Sequence, residues 1–265
     1  MTVDLARSSR GGPDGTGGLL GLLGVEVLLV LGVSLGKSAI YSLVAITARM
    51  TADRPLADQT ATLNPSQSTR PWLDLTYQLL GILFDLVPVL LAVHLLNRNP
   101  GDARGMLGLD ARRPGADLAW GAALAAAIGL PGLGLFWVAA RLGINATVVP
   151  AALPDLWWAV PVLLLAAAQN AILEEIVVVG YLMTRLRQLR FGVAAAIVAA
   201  ALLRGCYHLY QGYSAGLGNV AMGLVFGYVW WRTGRLWPLI VGHAVIDAVA
   251  FAGYALAAEH LDWLG

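Results

Sequence analysis

The sequence predicts an all-α protein, a polytopic bundle of about seven transmembrane helices, with six to eight as the range. Two observations support this prediction. Of the 265 residues, 58% are hydrophobic and only 12% are charged, and the mean hydropathy is +0.71, far above that of an ordinary soluble domain. In addition, apolar runs long enough to cross a hydrocarbon core of about 30 Å recur along the chain.

The predicted elements follow one another with short polar connections. Residues 1–18 are rich in glycine and small polar residues and predict a disordered N-terminal tail. The next run lacks a small-residue cleavage site, which favours a retained helix over a signal peptide. The predicted spans are 19–46, 73–96, 118–140, 156–183, 193–209, 215–231 and 236–257. We therefore divide the chain into a tail (1–18), N-terminal transmembrane helices (19–150), a polar-cored segment (151–258) and a C-terminal tail (259–265).

The placement of arginines predicts the orientation in the membrane. Eleven arginines lie in the tail and in alternate connections, namely 97–117, 184–191 and 232–235, whereas the opposite set of connections and span ends holds Arg49, Arg54, Arg70 and Arg141. The positive-inside rule then predicts a multi-pass plasma-membrane protein with a cytoplasmic N-terminus. Basic and acidic residues, 17 and 16, nearly cancel, so net charge indicates no nucleic-acid partner.

Ionisable residues inside the predicted spans are candidate sites, because a charge at the bilayer centre costs at least about 2.5 to 3.5 kcal/mol. Glu26 and Lys37 in the first span and Asp85 in the second stand alone. We assign Glu26 and Lys37 a structural or snorkelling role and Asp85 a hydrogen bond within the bundle. Tyr207 and Asn219 are further hydrogen-bond donors, which we assign to packing.

The later spans carry polar residues in helical pairs. Glu174 and Glu175 are adjacent, about 100° apart around a helix, so both can face one cavity, and two acids in a dry cavity call for a compensating cation, metal or proton. Two i, i+4 pairs follow, Arg204 with His208 and His243 with Asp247. The fourth and fifth spans form a predicted hairpin that brings Glu174 and His208 level. The three spans therefore predict one polar site inside the bundle.

These three groups together resemble the CAAX prenyl endopeptidase and bacteriocin-processing (CPBP, or Abi) family of intramembrane proteases over roughly residues 155–255. That family has an EExxxR motif, a phenylalanine four residues before a histidine, and a histidine four residues before asparagine or aspartate. Here the first motif begins at Glu174 and Glu175 but has Val179 at the arginine position. The second has Arg204 in place of phenylalanine before His208, and the third matches without change. We expect Arg204 to supply Glu175 with the missing cation from the neighbouring helix.

The resemblance implies hydrolysis of a peptide bond within or near the membrane. Glu174 would activate water, and Glu175 would assist it or hold the cation. His208 and His243 would polarise the carbonyl or, with Glu174, bind a divalent metal such as zinc. Asp247 would orient His243 or complete the coordination. The implied partners are the lipid bilayer and a membrane-embedded or lipid-modified peptide or protein.

Two alternatives from other classes stay open at the level of sequence. The valine at position 179 is compatible with a non-catalytic membrane scaffold or immunity-type protein that keeps the polar core for folding and binding. A small ion or proton transporter would also place acids inside the membrane. No inverted-repeat pair of interrupted segments supports the transporter.

Overall fold

The structure, a computed structural model, describes residues 14–257. Most of the predicted N-terminal tail (1–13) and the predicted C-terminal tail (259–265) lie outside the described residues. The described chain forms these α-helices in order: α1 (Asp14–Gly32), α2 (Leu35–Met50), α3 (Pro71–Asp85), α4 (Val87–Arg98), α5 (Ala103–Met106), α6 (Pro114–Arg141), α7 (Ala159–Glu174), α8 (Met183–Gln188), α9 (Val193–His208), α10 (Tyr213–Thr233), α11 (Trp237–Ala248) and α12 (Tyr254–Ala257).

Shorter elements connect or interrupt these helices. A π-helical segment, Glu175–Leu182, joins α7 to α8, and a second one, Val249–Gly253, joins α11 to α12. Two 3₁₀ turns occupy Leu56–Asp58 and Leu209–Gln211. Two three-residue strands, β1 (Thr60–Thr62) and β2 (Thr147–Val149), complete the described fold. The predicted all-α bundle is therefore confirmed, with one small sheet added.

Five helices within residues 14–257 are long and apolar enough to cross a membrane. They are Pro71–Arg98, Pro114–Arg141, Ala159–Gln188, Val193–Gln211 and Trp237–Leu256. A sixth results if Leu20–Gly32 and Leu35–Met50, which meet at an angle of 57°, are counted as one span. The protein is thus an integral membrane protein with five or six candidate spans, one or two fewer than the seven predicted.

Two of the predicted spans account for this difference. The first, 19–46, is not one straight helix: it breaks at Val33 and Ser34, where the Ser34 side chain donates to the Val30 carbonyl (2.6 Å). Gly36 tolerates the resulting close approach, since a Cβ there would lie 2.8 Å from the carbonyl oxygen of Leu31. The sixth predicted span, 215–231, is helical as part of α10. Because of its glycines and Asn219, it is not apolar enough to count among the five candidate spans.

The span formed by α7, the first π-helical segment and α8 lies at the centre of the bundle. In the most apolar 18-residue stretch of this span, 67% is buried inside the protein. The corresponding share in the other four candidate spans is 17 to 39%. It packs against α3, α4, α9, α10 and α11. Side chains on this span are therefore surrounded by protein, which allows it to carry charged groups that lipid would not accept.

Glycines bring the other helices close together. In α9, a Cβ on Gly205 would lie 2.3 Å from Val220 Cγ2 and 2.9 Å from the Gly216 carbonyl oxygen of α10. In α6, a Cβ on Gly121 would lie 2.5 Å from Val241 Cγ1 of α11. Small residues at such contacts are typical of helix packing in membranes. They hold α9 and α11 against their neighbours, and both helices contribute to the polar site.

The connections segregate to two opposite ends of the bundle. At one end β1 pairs in parallel with β2, with Thr60 opposite Thr147 and Thr62 opposite Val149. At the other end the arginine-rich connections meet. There Arg235 contacts Asp110 and Asp117, and Arg185 Nη1 donates to the carbonyl oxygen of Asn99. The arginine-rich connections thus share one end, as the predicted topology requires, and their cytoplasmic location stays a prediction.

Candidate active site

The three polar groups converge on one large cavity inside the bundle. Glu174 ends α7, His208 ends α9, and His243 and Asp247 lie within α11. The cavity has a volume of about 2300 Å³, and its lining includes Asn170, Glu174, Tyr207, His208, His243 and Asp247. Residues that are separated by up to 77 positions in sequence therefore face the same internal space.

Glu174 presents one carboxylate oxygen to donors on α9. Its Oε2 accepts a hydrogen bond from the hydroxyl of Tyr207 (2.7 Å) and lies 3.4 Å from Arg204 Nη2 and 3.7 Å from His208 Nε2. Within residues 14–257, Oε1 has no hydrogen-bond partner. The carboxylate is thus fixed through one oxygen, which leaves the other available to the cavity.

Glu175 lies behind Glu174, fully buried and away from the cavity lining. Its Oε1 accepts from Arg204 Nη2 and is 2.8 Å from His243 Nδ1. Because a carboxylate only accepts, His243 donates through Nδ1, and its Nε2 is left on the side of Asp247. The predicted contact between Arg204 and Glu175 is therefore present, and Glu175 also orients His243.

Position 179, where the resembled family has arginine, lies in an apolar environment. Val179 is buried inside the π-helical segment and belongs to the main hydrophobic cluster. Arg204 is also fully buried, with its guanidinium 5.6 Å from the ring centroid of Phe226. A buried guanidinium needs a paired carboxylate, since desolvation of an unpaired charge is costly. Arg204 meets that need with Glu175 and stays within 3.4 Å of Glu174.

His208 carries a buried donor that is directed at Glu174. Its Nδ1 lies 3.2 Å from the side-chain nitrogen of Gln211, an amide donor, so Nδ1 accepts and Nε2 carries the hydrogen. This Nε2 is buried, is 3.7 Å from Glu174 Oε2 and has no hydrogen-bond partner among the described residues. Buried donors are rarely left unsatisfied, which marks this nitrogen as a functional candidate.

Asp247 completes the cluster on the α11 side. Its Oδ2 accepts from the side chain of Asn170 (3.4 Å) and is 3.7 Å from His243 Nε2. Asn170 lies one turn before Glu174 in α7, so the same span positions both groups. His243 thus contacts Glu175 directly. Asp247 is linked to Glu174 through Asn170, which lies on the same helix as Glu174.

The helix geometry changes at the paired glutamates. The chain is α-helical up to Glu174 and π-helical from Glu175 to Leu182, and every residue of the π-helical segment is buried. Wider π-helical turns occur mainly as short bulges and often at functional sites. Gly180 permits close packing of this segment, since a Cβ there would lie 2.7 Å from Leu107 and 2.9 Å from Leu236. The irregular segment is therefore held from the arginine-rich end of the bundle.

The predicted metal ligands do not form a ligand set in this structure. Among residues 14–257, no three His, Cys, Asp or Glu side chains come together in a way that would hold a metal ion. His243 turns its Nδ1 to Glu175, and the Glu174 oxygen nearest His208 already accepts from Tyr207. The Arg204 guanidinium is 3.4 Å from that oxygen and opposes a second cation there. Within residues 14–257, Glu174, His208 and His243 are therefore not arranged as a ligand set in this structure.

Two residues of the cluster were assigned wrongly or missed at the level of sequence. Tyr207, which we assigned to packing, donates to Glu174, and Gln211, which we did not single out, fixes His208. Tyr207 adjoins His208, and Gln211 follows it by three residues in a helical turn, so proximity to the histidine was the available signal. Asn219 donates to the Ala215 carbonyl of its own helix (3.0 Å), as a packing role predicts.

The isolated charged residues take other places. Glu26 accepts from Arg185 Nε (2.7 Å) and from the Tyr181 hydroxyl (2.9 Å), which is the structural role predicted for it. Lys37 and Asp85 line the cavity but have no contact with the polar cluster. The hydrogen bond predicted for Asp85 is wrong, because its side chain is exposed and has no hydrogen-bond partner within residues 14–257.

Comparison with known proteins gives a match, which covers the part of the chain that carries the polar cluster. Residues 156–249 match the family model for Type II CAAX prenyl endopeptidase Rce1-like proteins. No curated protein and no solved structure gives a match. The matched segment contains every residue of the polar cluster, from Asn170 in α7 to Asp247 in α11. Residues 156–249 thus resemble an Rce1-like domain, and this match supports the resemblance to the CAAX protease (CPBP) family.

Proposed function

We propose that this protein is an intramembrane endopeptidase that hydrolyses a peptide bond of a membrane-associated, lipid-modified substrate, with Glu174 as the residue that activates water. The observation that carries this proposal is the pairing of Glu174 with the unpartnered Nε2 of His208 across 3.7 Å on the wall of one cavity. A carboxylate and a buried donor at this separation suit a reaction that adds water to a carbonyl group.

Glu174 acts first as the base. Its free Oε1 accepts a proton from a water molecule, and the oxygen of that water attacks the carbonyl carbon of the peptide bond. Tyr207 holds the other oxygen, Oε2, and so keeps the carboxylate oriented. The protonated Glu174 then gives its proton to the departing amine, which completes hydrolysis with no net change in the enzyme.

The histidines stabilise the charge that develops on the carbonyl oxygen. His208 donates through Nε2, the donor that the folded protein leaves unsatisfied. His243 is positioned by Glu175 through Nδ1, so its Nε2 and the nearby Asp247 border the same space. Arg204 neutralises Glu175 and thereby allows two adjacent carboxylates in a buried environment.

The family implies a membrane-associated prenylated protein as substrate, and we propose a lipid-modified peptide for this chain. The cavity is large, about 2300 Å³, and much of its wall is apolar, including Leu130, Leu133 and Phe136 of α6. Such a space accepts both a lipid chain and the peptide segment attached to it. The bilayer delivers the substrate to this cavity.

A library of membrane peptides, with and without prenyl groups, reconstituted with the purified protein tests the function. Glu174→Gln should lower the cleavage rate by about two to four orders of magnitude, as expected for loss of a general base. Asp85→Asn is the matched control, because Asp85 is another acid on the same cavity wall without contact with the cluster, and its activity should stay near that of the wild type.

The same assay addresses the metal. Because the cluster is not arranged as a ligand set within residues 14–257, dialysis against a zinc chelator should leave the cleavage rate unchanged, and metal analysis should give no stoichiometric zinc. Unchanged cleavage by Glu174→Gln would overturn the assignment of the base. A rate that falls on chelation and returns with zinc would establish a metalloprotease instead.

The scaffold alternative depended on the missing arginine at position 179. Arg204 now occupies the space beside Glu175 and supplies the positive charge from α9. The cluster therefore has the charge balance that an active site needs, and no observation within residues 14–257 favours the scaffold or the transporter.

A further inference from the structure

The small sheet borders the same cavity as the polar cluster. Six consecutive residues, 145–150, line the cavity, and they contain all of β2. The residues of β1, Thr60–Thr62, do not line it. Within the sheet, β2 is therefore the strand next to the cavity, and its side opposite β1 is an edge.

The hydrogen bonds of the sheet fix which backbone groups this edge presents. The Thr147 amide donates to the Gln59 carbonyl (2.8 Å), and the Leu63 amide donates to the Val149 carbonyl (3.0 Å). The backbone N–H and C=O groups of Thr147 and Val149 thus point toward β1. In a parallel ladder, the backbone groups of the residue between them point the opposite way. The N–H and C=O of Val148 are therefore directed away from β1, at the outer edge of a strand whose residues all line the cavity.

The opposite edge of the sheet already accepts a hydrogen bond from a side chain of the protein. Arg49 Nη2 donates to the Thr60 carbonyl (3.0 Å), which is on the outward side of β1. The two edges therefore differ, and an open strand edge beside a cavity is a template for a further strand.

The open edge is connected to the polar cluster through a short path. Gly212 forms an antiparallel bridge with Asn145, two residues before β2. Asn145 also holds Ser214 through its side chain. The residue before Gly212 is Gln211, whose side chain contacts His208. A chain segment paired with β2 would thus continue along the cavity wall toward the glutamates.

We propose that the edge of β2 at Val148 binds the substrate peptide as an added strand. This inference rests on the proposed protease function and deepens it, since it names an extended, unfolded segment as the form in which the peptide is held. The occupant is an extended peptide whose backbone exchanges hydrogen bonds with Val148 N–H and C=O. Backbone pairing holds the segment regardless of its side chains, and the cavity wall selects among them.

Binding is tested apart from cleavage, in the full chain carrying Glu174→Gln, so that failure of the protease function does not affect the result. The probe is a short palmitoylated and fluorescently labelled peptide of alternating valine and threonine, and its affinity is measured in lipid nanodiscs. Val148→Pro removes the outward N–H but no bond to β1, because the Thr147 and Val149 amides are untouched. Binding should weaken about three- to tenfold, as for loss of one backbone hydrogen bond.

Two matched variants separate the edge from other effects. Thr62→Pro removes an outward N–H at the opposite edge of the same sheet, and Val148→Ala removes the side chain but keeps the N–H. Both should bind the probe as the parent protein does. Equal binding by the Val148→Pro and Thr62→Pro variants would overturn the proposal, as would failure of the parent protein to bind the probe.

A scan of the probe itself gives a readout that does not depend on the folding of a variant. Probes methylated at one backbone nitrogen at a time should lose affinity for the parent at every second position, because alternate amides of a strand face one edge. The alternation should persist in Val148→Pro, because proline keeps the C=O that accepts from the probe and lacks only the N–H. A scan without alternation on the parent would refute strand addition whatever the variants show.

Discussion

Arg204 of α9 donates to the carboxylate of Glu175 at the start of the π-helical segment, and both side chains are fully buried. The family resembled by this site has its arginine four residues after the second glutamate, on the same helix, where this chain has Val179. The positive charge is therefore present but comes from the helix that also carries His208. Since Arg204 also lies 3.4 Å from Glu174, one guanidinium serves both acids.

Exchanging the two positions tests whether the charge has been relocated. Arg204→Phe alone removes the guanidinium from the buried Glu175, which then keeps only the hydrogen bond from His243, and should lower the free energy of unfolding by about 3 to 5 kcal/mol. Val179→Arg alone adds a second cation to a packed apolar environment and should also destabilise the protein. The double variant restores one cation beside Glu175, and we expect it to recover more than half of the stability lost by Arg204→Phe.

Unfolding in detergent and peptide cleavage are the measurements for these three variants. Arg204→Lys is the control for charge without the planar guanidinium, and it should retain part of the stability. Additive losses in the double variant would show that positions 179 and 204 do not exchange roles.

Tyr207→Phe should slow catalysis through its effect on Glu174. The hydroxyl of Tyr207 is 2.7 Å from Glu174 Oε2, and hydrogen bonds to charged groups contribute about 1.5 to 3 kcal/mol. We expect kcat to fall about ten- to a hundredfold with KM little changed, because the substitution removes one oxygen atom and keeps the ring. Tyr77→Phe is the control, since Tyr77 lines the same cavity and its hydroxyl has no hydrogen-bond partner within residues 14–257. Equal rates for the two variants would contradict a role of Tyr207 in orienting the base.

The polar site was predictable because its residues are expensive in a membrane. Acids and histidines in apolar runs stand out, and helical spacing alone placed Glu174 with Glu175 and His243 with Asp247 on shared faces. The contact from Arg204 to Glu175 followed from a missing cation at Val179. Tyr207 and Gln211 did not stand out, because tyrosine and glutamine are common at helix ends for many reasons.

The features that sequence did not predict depend on three-dimensional contacts. The first span bends at Val33 and Ser34, where the Ser34 side chain donates to the Val30 carbonyl, and a serine inside a helix accompanies a bend only in some surroundings. The pairing of β1 with β2 joins segments 87 residues apart, such as Thr60 with Thr147, and each strand has only three residues. Strands this short have no detectable alternation of polar and apolar residues.

The ion pairs at the arginine-rich end should make stability depend on pH. The backbone N–H of Arg112, together with the Arg235 guanidinium, holds the pKa of Asp110 below its ordinary value of 3.8. A carboxyl group with a lowered pKa in the folded state stabilises it above the ordinary value, and this contribution is lost as the pH falls through the lower, folded-state value. The unfolding midpoint of the wild type should therefore decrease below about pH 4 more steeply than that of Asp110→Asn.

Thermal unfolding in detergent across this range measures the difference. Asp53→Asn is the control, because Asp53 is exposed and has no side-chain hydrogen bond within residues 14–257. Parallel curves for wild type and Asp110→Asn would show that this aspartate is not the titrating group.

The close contact of α9 with α10 at Gly205 should tolerate no added methyl group. A Cβ at this position would lie 2.3 Å from Val220 Cγ2 and 2.9 Å from the Gly216 carbonyl oxygen, and the backbone oxygen cannot move unless the helices separate. Gly205→Ala should therefore lower the free energy of unfolding by about 1 to 3 kcal/mol. Because Arg204 and His208 lie on the same helix, cleavage should fall as well.

Gly134→Ala in α6 is the matched control, since a Cβ there meets nothing within 4 Å, and its stability should change by less than about 0.5 kcal/mol. Equal stability of the two variants would mean that α9 and α10 are not held together at Gly205.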